Sequence, residues 1–142
     1  MKRRCLMIVA LLLLRQDAVV ASSAYRYHHI VDLKIEWRDL LKQQNNEYEV
    51  YFYSTSCQFC LDLEEDIVTY ALTGGGNLFF IEVTPYLPFG PLRLECACDI
   101  SCLRLPAYPA LLTIRDGCVS GVIIGSGAIG TYYGFSAKRD GL

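Results

Sequence analysis

The stretch YFYSTSCQFCLDLEEDI, residues 51–67, constrains this chain more than any other. An apolar run rich in aromatic residues, suited to a buried strand, gives way within a few residues to a helix-like one. There Leu61, Leu63, Ile67, Val68, Ala71 and Leu72 form an apolar stripe. Asp62, Glu64, Glu65 and Asp66 mark its wet side, and acidic residues early in a helix suit its dipole. Two cysteines, Cys57 and Cys60, sit at the junction. A pair so placed exchanges electrons, holds a metal, or staples two turns of chain.

The flanking sequence supplies the frame. Residues 30–34 (IVDLK) predict a short edge strand, and EWRDLLKQQ after it a helix with Trp37, Leu40 and Leu41 on one side. YEVYFYS reads as a central strand, TGGG at 73–76 as the stop of the second helix, and NLFFIEV as another buried strand. Residues 84–105 are irregular, with Pro85, Pro88, Pro91, Gly90 and three cysteines, and predict a loop followed by a short helical turn. ALLTIRDGCVSGVIIG predicts a hairpin turning at Asp116-Gly117. GAIGTYYGF gives one or two helical turns, and SAKRDGL a loose tail. There is no internal repeat, and TGGGN lacks the Lys and Ser/Thr of a phosphate loop. One mixed sheet with helices on its faces is the compact solution.

The chain is one domain of 142 residues with 53% hydrophobic residues, ample for a core. Residues 1–24 are set aside as a secretory signal. They have a basic start (Lys2, Arg3, Arg4), an apolar run from Cys5 to Leu14, and a small-residue segment with cleavage after Ala21 or Ala24. The alternative is an uncleaved N-terminal membrane anchor, but Arg15 and Asp17 interrupt the apolar run well short of the ~20 residues a span needs. Residues 25–142 form the domain. Its loss of four basic residues (Lys2, Arg3, Arg4, Arg15) and one acidic (Asp17) takes the formal net charge from −2 to −5. An acidic domain without basic runs excludes nucleic acid as a partner, and the signal segment alone engages the membrane. The expected location is extracytoplasmic or secreted, with tethering if the segment is retained. Six of the seven cysteines fall in the domain, where an exported protein keeps disulfides.

The element order, the strand-Cys-x-x-Cys-helix junction EVYFYSTSCQFCLDL and the segment LPAYPALLTIRDG together resemble the thioredoxin-like superfamily, over about residues 28–135. The resemblance implies an α/β, thioredoxin-like fold: a central mixed β-sheet flanked by helices. It makes Pro109 a cis-proline beside the first cysteine, with Tyr108 lining the substrate groove. It further implies a thiol–disulfide oxidoreductase in which Cys57 attacks and Cys60 resolves. Tyr108, Pro109, Gln58 and Phe59 would contact the substrate, a cysteine-containing exported protein or small partner thiol. No cofactor and no metal are implied, since the electrons reside in the two sulfurs, and a monomer is expected.

The residues support that chemistry by themselves. Unpaired N–H groups and the dipole at a helix start favour negative charge, and the thiolate is the nucleophile. A second cysteine one turn on is within reach to resolve a mixed disulfide. The sequence also departs from the family pattern. Thr55-Ser56 stand where thioredoxins carry Trp before the motif, and Gln58-Phe59 replace the inner Gly-Pro. Tyr51 occupies the position, six before the first cysteine, where active relatives bury a carboxylate. Glu49 shares its strand parity and is either a substitute carboxylate or a solvated strand-end residue. The alternative function is therefore a non-catalytic interaction module on the same fold, with structural disulfides.

The second cluster, ECACDISC, offers Cys96, Cys98 and Cys102, with Cys118 further on. These four are structural disulfide candidates. Cys98–Cys102 is the expected local bond if the segment makes one helical turn, leaving Cys118 for the odd thiol or free. A zinc site is the lesser alternative. A relay in which one of these thiols exchanges with Cys60 is a further possibility. His28 and His29 read as surface residues, and Tyr86, Leu87 and Phe89 either contact a protein substrate or pack over the sheet.

Overall fold

A computed structural model of the chain describes residues 24–74 and 76–135. Most of the signal segment, residues 1–23, and the predicted tail, residues 136–142, lie outside them. Four strands form one sheet in the order β2-β1-β3-β4. They are β1 (Glu47–Tyr53), β2 (Leu78–Glu82), β3 (Ala110–Arg115) and β4 (Cys118–Ile124), and the helices are α1 (Gln58–Thr73) and α2 (Ser126–Tyr133). β1 pairs parallel with β2 and antiparallel with β3, and β3 pairs antiparallel with β4, so the sheet is mixed.

β1 is central and covered on both faces, which explains why its sequence is apolar almost throughout. Because side chains alternate, Tyr51 and Tyr53 join Leu63, Ile67, Val68, Phe80, Leu111 and Ile129 in one core layer. Tyr48, Val50 and Phe52 join Leu40, Ile81, Leu103, Leu105, Leu112 and Ile114 in the other. Both helices pack on the first face. The second is closed by the Trp37 turn and by the loop between β2 and β3, which contributes the fully buried Leu103 and Leu105. That loop is pinned at backbone level, by Leu105 N–H to the Pro88 carbonyl at 2.9 Å and Gly90 N–H to the Leu105 carbonyl at 3.1 Å.

The hairpin, both helices, β1 and β2 fall where the sequence places them. The Asp116-Gly117 turn has φ of 51° and 76°, the positive pair that a two-residue hairpin of this twist needs. Two expectations need correction. Residues 30–34 make a short 3-10 turn, Val31–Leu33, and a single bridge from Lys34 to Phe80 in place of an edge strand. EWRDLLKQQ gives only one 3-10 turn, Trp37–Asp39. Its Trp37, Leu40 and Leu41 pack as a plug against the sheet, so three contacts substitute for a helical face.

Removal of a buried loop side chain tests whether the β2–β3 loop belongs to the core. Leu105→Ala is expected to lower unfolding free energy by about 2–5 kcal/mol, the range for a buried leucine. Urea denaturation checks this, and a loss under about 1 kcal/mol would mean that the loop is a dispensable flap.

Candidate active site

Three segments meet at one end of the sheet because of strand direction alone. β1 leaves the sheet at Tyr53 and reaches Cys57 four residues later. Parallel β2 ends at the same side, opposite Tyr53 at Glu82, and leads into the loop carrying Tyr86 and Phe89. Antiparallel β3 begins there, with Ala110 opposite Phe52, directly after Pro109. The Tyr108–Pro109 peptide bond is cis, Pro109 is buried, and its carbonyl accepts the Gly125 N–H at 2.9 Å.

The turn from β1 into α1 is held by serines. Ser54 Oγ lies 2.9 Å from Ser56 Oγ and accepts the Ser56 N–H at 3.2 Å. This turn places Cys57 as the N-cap of α1. Its Sγ accepts the Cys60 N–H at 3.2 Å, so a free backbone donor of the first helical turn points at the sulfur.

Cys60 lies one turn on, fully buried. Its thiol donates to Cys57 Sγ across 2.6 Å, so closure to a disulfide of ~2.05 Å needs only a sub-ångström approach. Burial, reinforced by that hydrogen bond, pushes Cys60 up to about 12. The two thiols are therefore unlike: Cys57 is half-buried at the surface and Cys60 is a neutral donor beneath it.

Below the pair lies a tyrosine cluster. Tyr27 Oη donates to the Cys60 carbonyl at 2.5 Å and lies 3.2 Å from Tyr51 Oη, and the rings of Tyr27 and Tyr53 stack at 3.9 Å. Burial raises both Tyr27 and Tyr51 well above the ordinary phenol range, so both remain neutral. Tyr51 thus places a phenol under the motif that meets the Tyr27 hydroxyl, and Tyr27 supports the backbone of the buried cysteine. Glu49, half-buried in β1, does not stand free in solvent. It accepts hydrogen bonds from Tyr132 and Tyr133 and so ties α2 to β1. Those bonds hold Tyr132 up at about 12.

The remaining predicted residues divide. Phe59, 64% exposed, and Tyr108, 41% exposed, stand at this end of the sheet. The Tyr108 ring lies 6.0 Å from that of Phe89, which puts the β2–β3 loop beside the cis-proline segment. The amide of Gln58 is engaged along the helix with Asp62 Oδ1 at 2.9 Å. His28 and His29 are exposed.

The second cysteine cluster pairs as Cys96–Cys102 and Cys98–Cys118, which corrects the expected Cys98–Cys102 bond. The cause is the backbone: Val119 N–H bonds the Ala97 carbonyl at 2.8 Å, pinning the loop to the hairpin and setting Cys98 against Cys118. All four thiols are used, and among the described residues no group of three or more His, Cys, Asp or Glu is placed to hold a metal. Tyr27 was not legible as a site residue, because a lone aromatic before the first turn carries no local sign of reaching Cys60 across 33 positions.

No family model matches the chain, and no curated protein matches it. Among solved structures it is similar to thioredoxin f from spinach chloroplast (13% identity, 78% of this chain and 97% of that one, TM-score 0.47). It is also similar to mitochondrial thioredoxin 3 from Saccharomyces cerevisiae (23%, 72% and 91%, TM-score 0.44) and to the Schistosoma mansoni thioredoxin pre-protein (20%, 72% and 94%, TM-score 0.43). In its own sheet order, strand polarity and motif placement the chain has a thioredoxin-like fold.

The asymmetry of the pair predicts selective alkylation. With the reduced native protein at pH 8, iodoacetamide should modify Cys57 at least about tenfold faster than Cys60, because only thiolates react and Cys60 is protonated and covered. Peptide mapping reads the two rates, and equal rates in the folded state would contradict the assignment.

Proposed function

We propose that this protein is an exported thiol–disulfide oxidoreductase that exchanges electrons through Cys57 and Cys60. The observation that carries the reading is the 2.6 Å contact between a helix-capping sulfur and a buried, protonated one. Cys57 thiolate attacks a disulfide R–S–S–R′, forming Cys57–S–S–R and releasing R′S⁻. Cys60 then gives up its proton and attacks Cys57 Sγ, forming the Cys57–Cys60 disulfide and releasing RS⁻. Two electrons pass from the pair to the substrate, and the reverse sequence oxidises a dithiol.

The substrate is a cysteine-bearing polypeptide or a small partner thiol. An extended segment would lie between Phe59 on α1 and the Tyr108-Pro109 loop, where exposed aromatic surface borders the motif. Work outside the cytoplasm is supported by the N-terminal signal pattern and by two disulfides in the fold, which persist in oxidising compartments. A non-catalytic binding module is the rival reading, favoured by Tyr51 at the position where active relatives carry a carboxylate.

The two cysteines separate the readings. Cys57→Ser should abolish exchange through the Cys57–Cys60 pair while leaving any partner binding intact, and Cys60→Ser should accumulate mixed disulfides on Cys57. An exchange rate unchanged in Cys57→Ser would contradict the proposal.

Resolution should also depend on pH in a defined direction. Cys60 must lose a proton to attack, and its folded value lies above that of an ordinary thiol. When Cys57 is in a mixed disulfide the hydrogen bond between the thiols is gone, but burial remains. The single-turnover resolution rate is therefore expected to rise with pH from 7 through at least 9, by up to about tenfold per unit. A flat profile over that range would show that Cys60 is already ionised.

A further inference from the structure

A second cysteine pair lies in the loop between β2 and β3. A cleft of about 270 Å³ opens beside the Cys96–Cys102 disulfide, walled by Phe89, Arg93 and Arg104. No acidic side chain lines it, in a domain whose formal charge beyond residue 24 is −5. The size is just below the ~300–1,000 Å³ usual for small-molecule sites, so the open cleft suits a small ligand or part of one.

The two arginines are available to such a ligand. Arg104 Nη1 donates to the Leu103 carbonyl at 2.9 Å and to the Ser101 carbonyl at 3.4 Å. These bonds hold Nη1, and among the described residues the guanidinium's other N–H groups make no hydrogen bond. Its stem lies along Gly90, where a side chain's Cβ would stand 3.3 Å from Arg104 Cγ. Gly90 thus gives the arginine room to lie flat against the loop. Arg93 is exposed and makes no side-chain hydrogen bond or ion pair among the described residues. Asp99, five positions before Arg104, is instead taken up by Ser101, through its N–H at 2.9 Å and its hydroxyl at 2.7 Å.

We infer that this cleft binds anionic low-molecular-weight thiols, of the class carrying one or more carboxylates, and that the Cys96–Cys102 disulfide exchanges with them. The arginines hold the ligand's carboxylates, by the paired N–H geometry that suits such groups, and so bring its sulfur to the disulfide. Cys102 is half-buried and Cys96 only 6% exposed, so Cys102 is the sulfur that can be attacked. The ligand thiolate RS⁻ bonds to Cys102 Sγ, the Cys96–Cys102 bond breaks, and Cys96 leaves as a thiolate and takes a proton. A second RS⁻ attacks the ligand sulfur of the mixed disulfide, giving RS–SR and the Cys102 thiolate. Two electrons enter the protein. The step is independent of Cys57 and Cys60.

The test uses the full chain carrying Cys57→Ser and Cys60→Ser, so that loss of the proposed exchange at Cys57 does not affect it. Glutathione and mercaptosuccinate (anionic), 2-mercaptoethanol (neutral) and cysteamine (cationic) are compared at equal thiolate concentration, with acid quenching and mass mapping of Cys96–Cys102 against Cys98–Cys118. The anionic thiols should open Cys96–Cys102 at least about tenfold faster than cysteamine, with the neutral thiol between, and 0.5 M salt should shrink the difference. Arg93→Gln with Arg104→Gln should reduce the preference to under threefold. Arg93→Gln alone, at an exposed residue that leaves the fold intact, should reduce it in part. Rates indifferent to ligand charge would overturn the inference, as would a preference unaltered in both variants, or a bond that opens only on unfolding.

Discussion

Cys57 can cap α1 only because β1 stops four residues earlier at a fixed height in the sheet. β1 is held on both sides, by β2 and β3, and its side chains fill two core layers, so its end cannot shift without moving both. The serine turn then has one way to enter the helix, and the Cys60 N–H of the first helical turn meets the sulfur. Burial of Cys60 follows from the same constraint, since the helix lies flat on the face that Tyr51 and Tyr53 present. One strand end thus determines which thiol is exposed, which is covered, and how far apart they stand.

The lower half of the site shows how the same geometry can be supported by different chemistry. A buried carboxylate would bring charge into the core at considerable cost unless paired. Here Tyr27 and Tyr51 supply hydroxyls that satisfy one another and the Cys60 carbonyl with no buried charge. Tyr27 is in turn fixed by Glu64 Oε1, which accepts its N–H at 2.9 Å, and Arg26 pairs with the same carboxylate at 3.2 Å. The segment before the sheet is therefore locked onto α1. Burial keeps Cys60 protonated, and the tyrosines offer no acid group at that position to take its proton.

Much of this was legible in the sequence, for identifiable reasons. β1, α1 and the hairpin carry strong periodicity and clear stops, such as Gly74 after Thr73 and Asp116-Gly117 between strands. The Cys57–Cys60 contact is local, set by one helical turn. What failed was non-local or marginal. Residues 30–34 and 37–41 are apolar enough to pack, yet too short to sustain a strand or helix once the core accepts them as plugs. The disulfide pairing followed a backbone bond between Ala97 and Val119, 22 positions apart, which no spacing within ECACDISC encodes. The partners of Glu49 lie more than 80 residues away on α2, so its role was invisible until the fold brought them together.

The account's central claim is that Cys57 and Cys60 form an exchangeable pair. A redox titration in glutathione and dithiothreitol buffers, with acid quenching, alkylation and mass mapping of every cysteine, tests it most directly. The account predicts that the Cys57–Cys60 pair titrates reversibly between about −120 and −270 mV, the span of known exchange catalysts. A pair that resists reduction until below about −300 mV, as structural disulfides do, would contradict it and leave the motif as a staple on a binding domain.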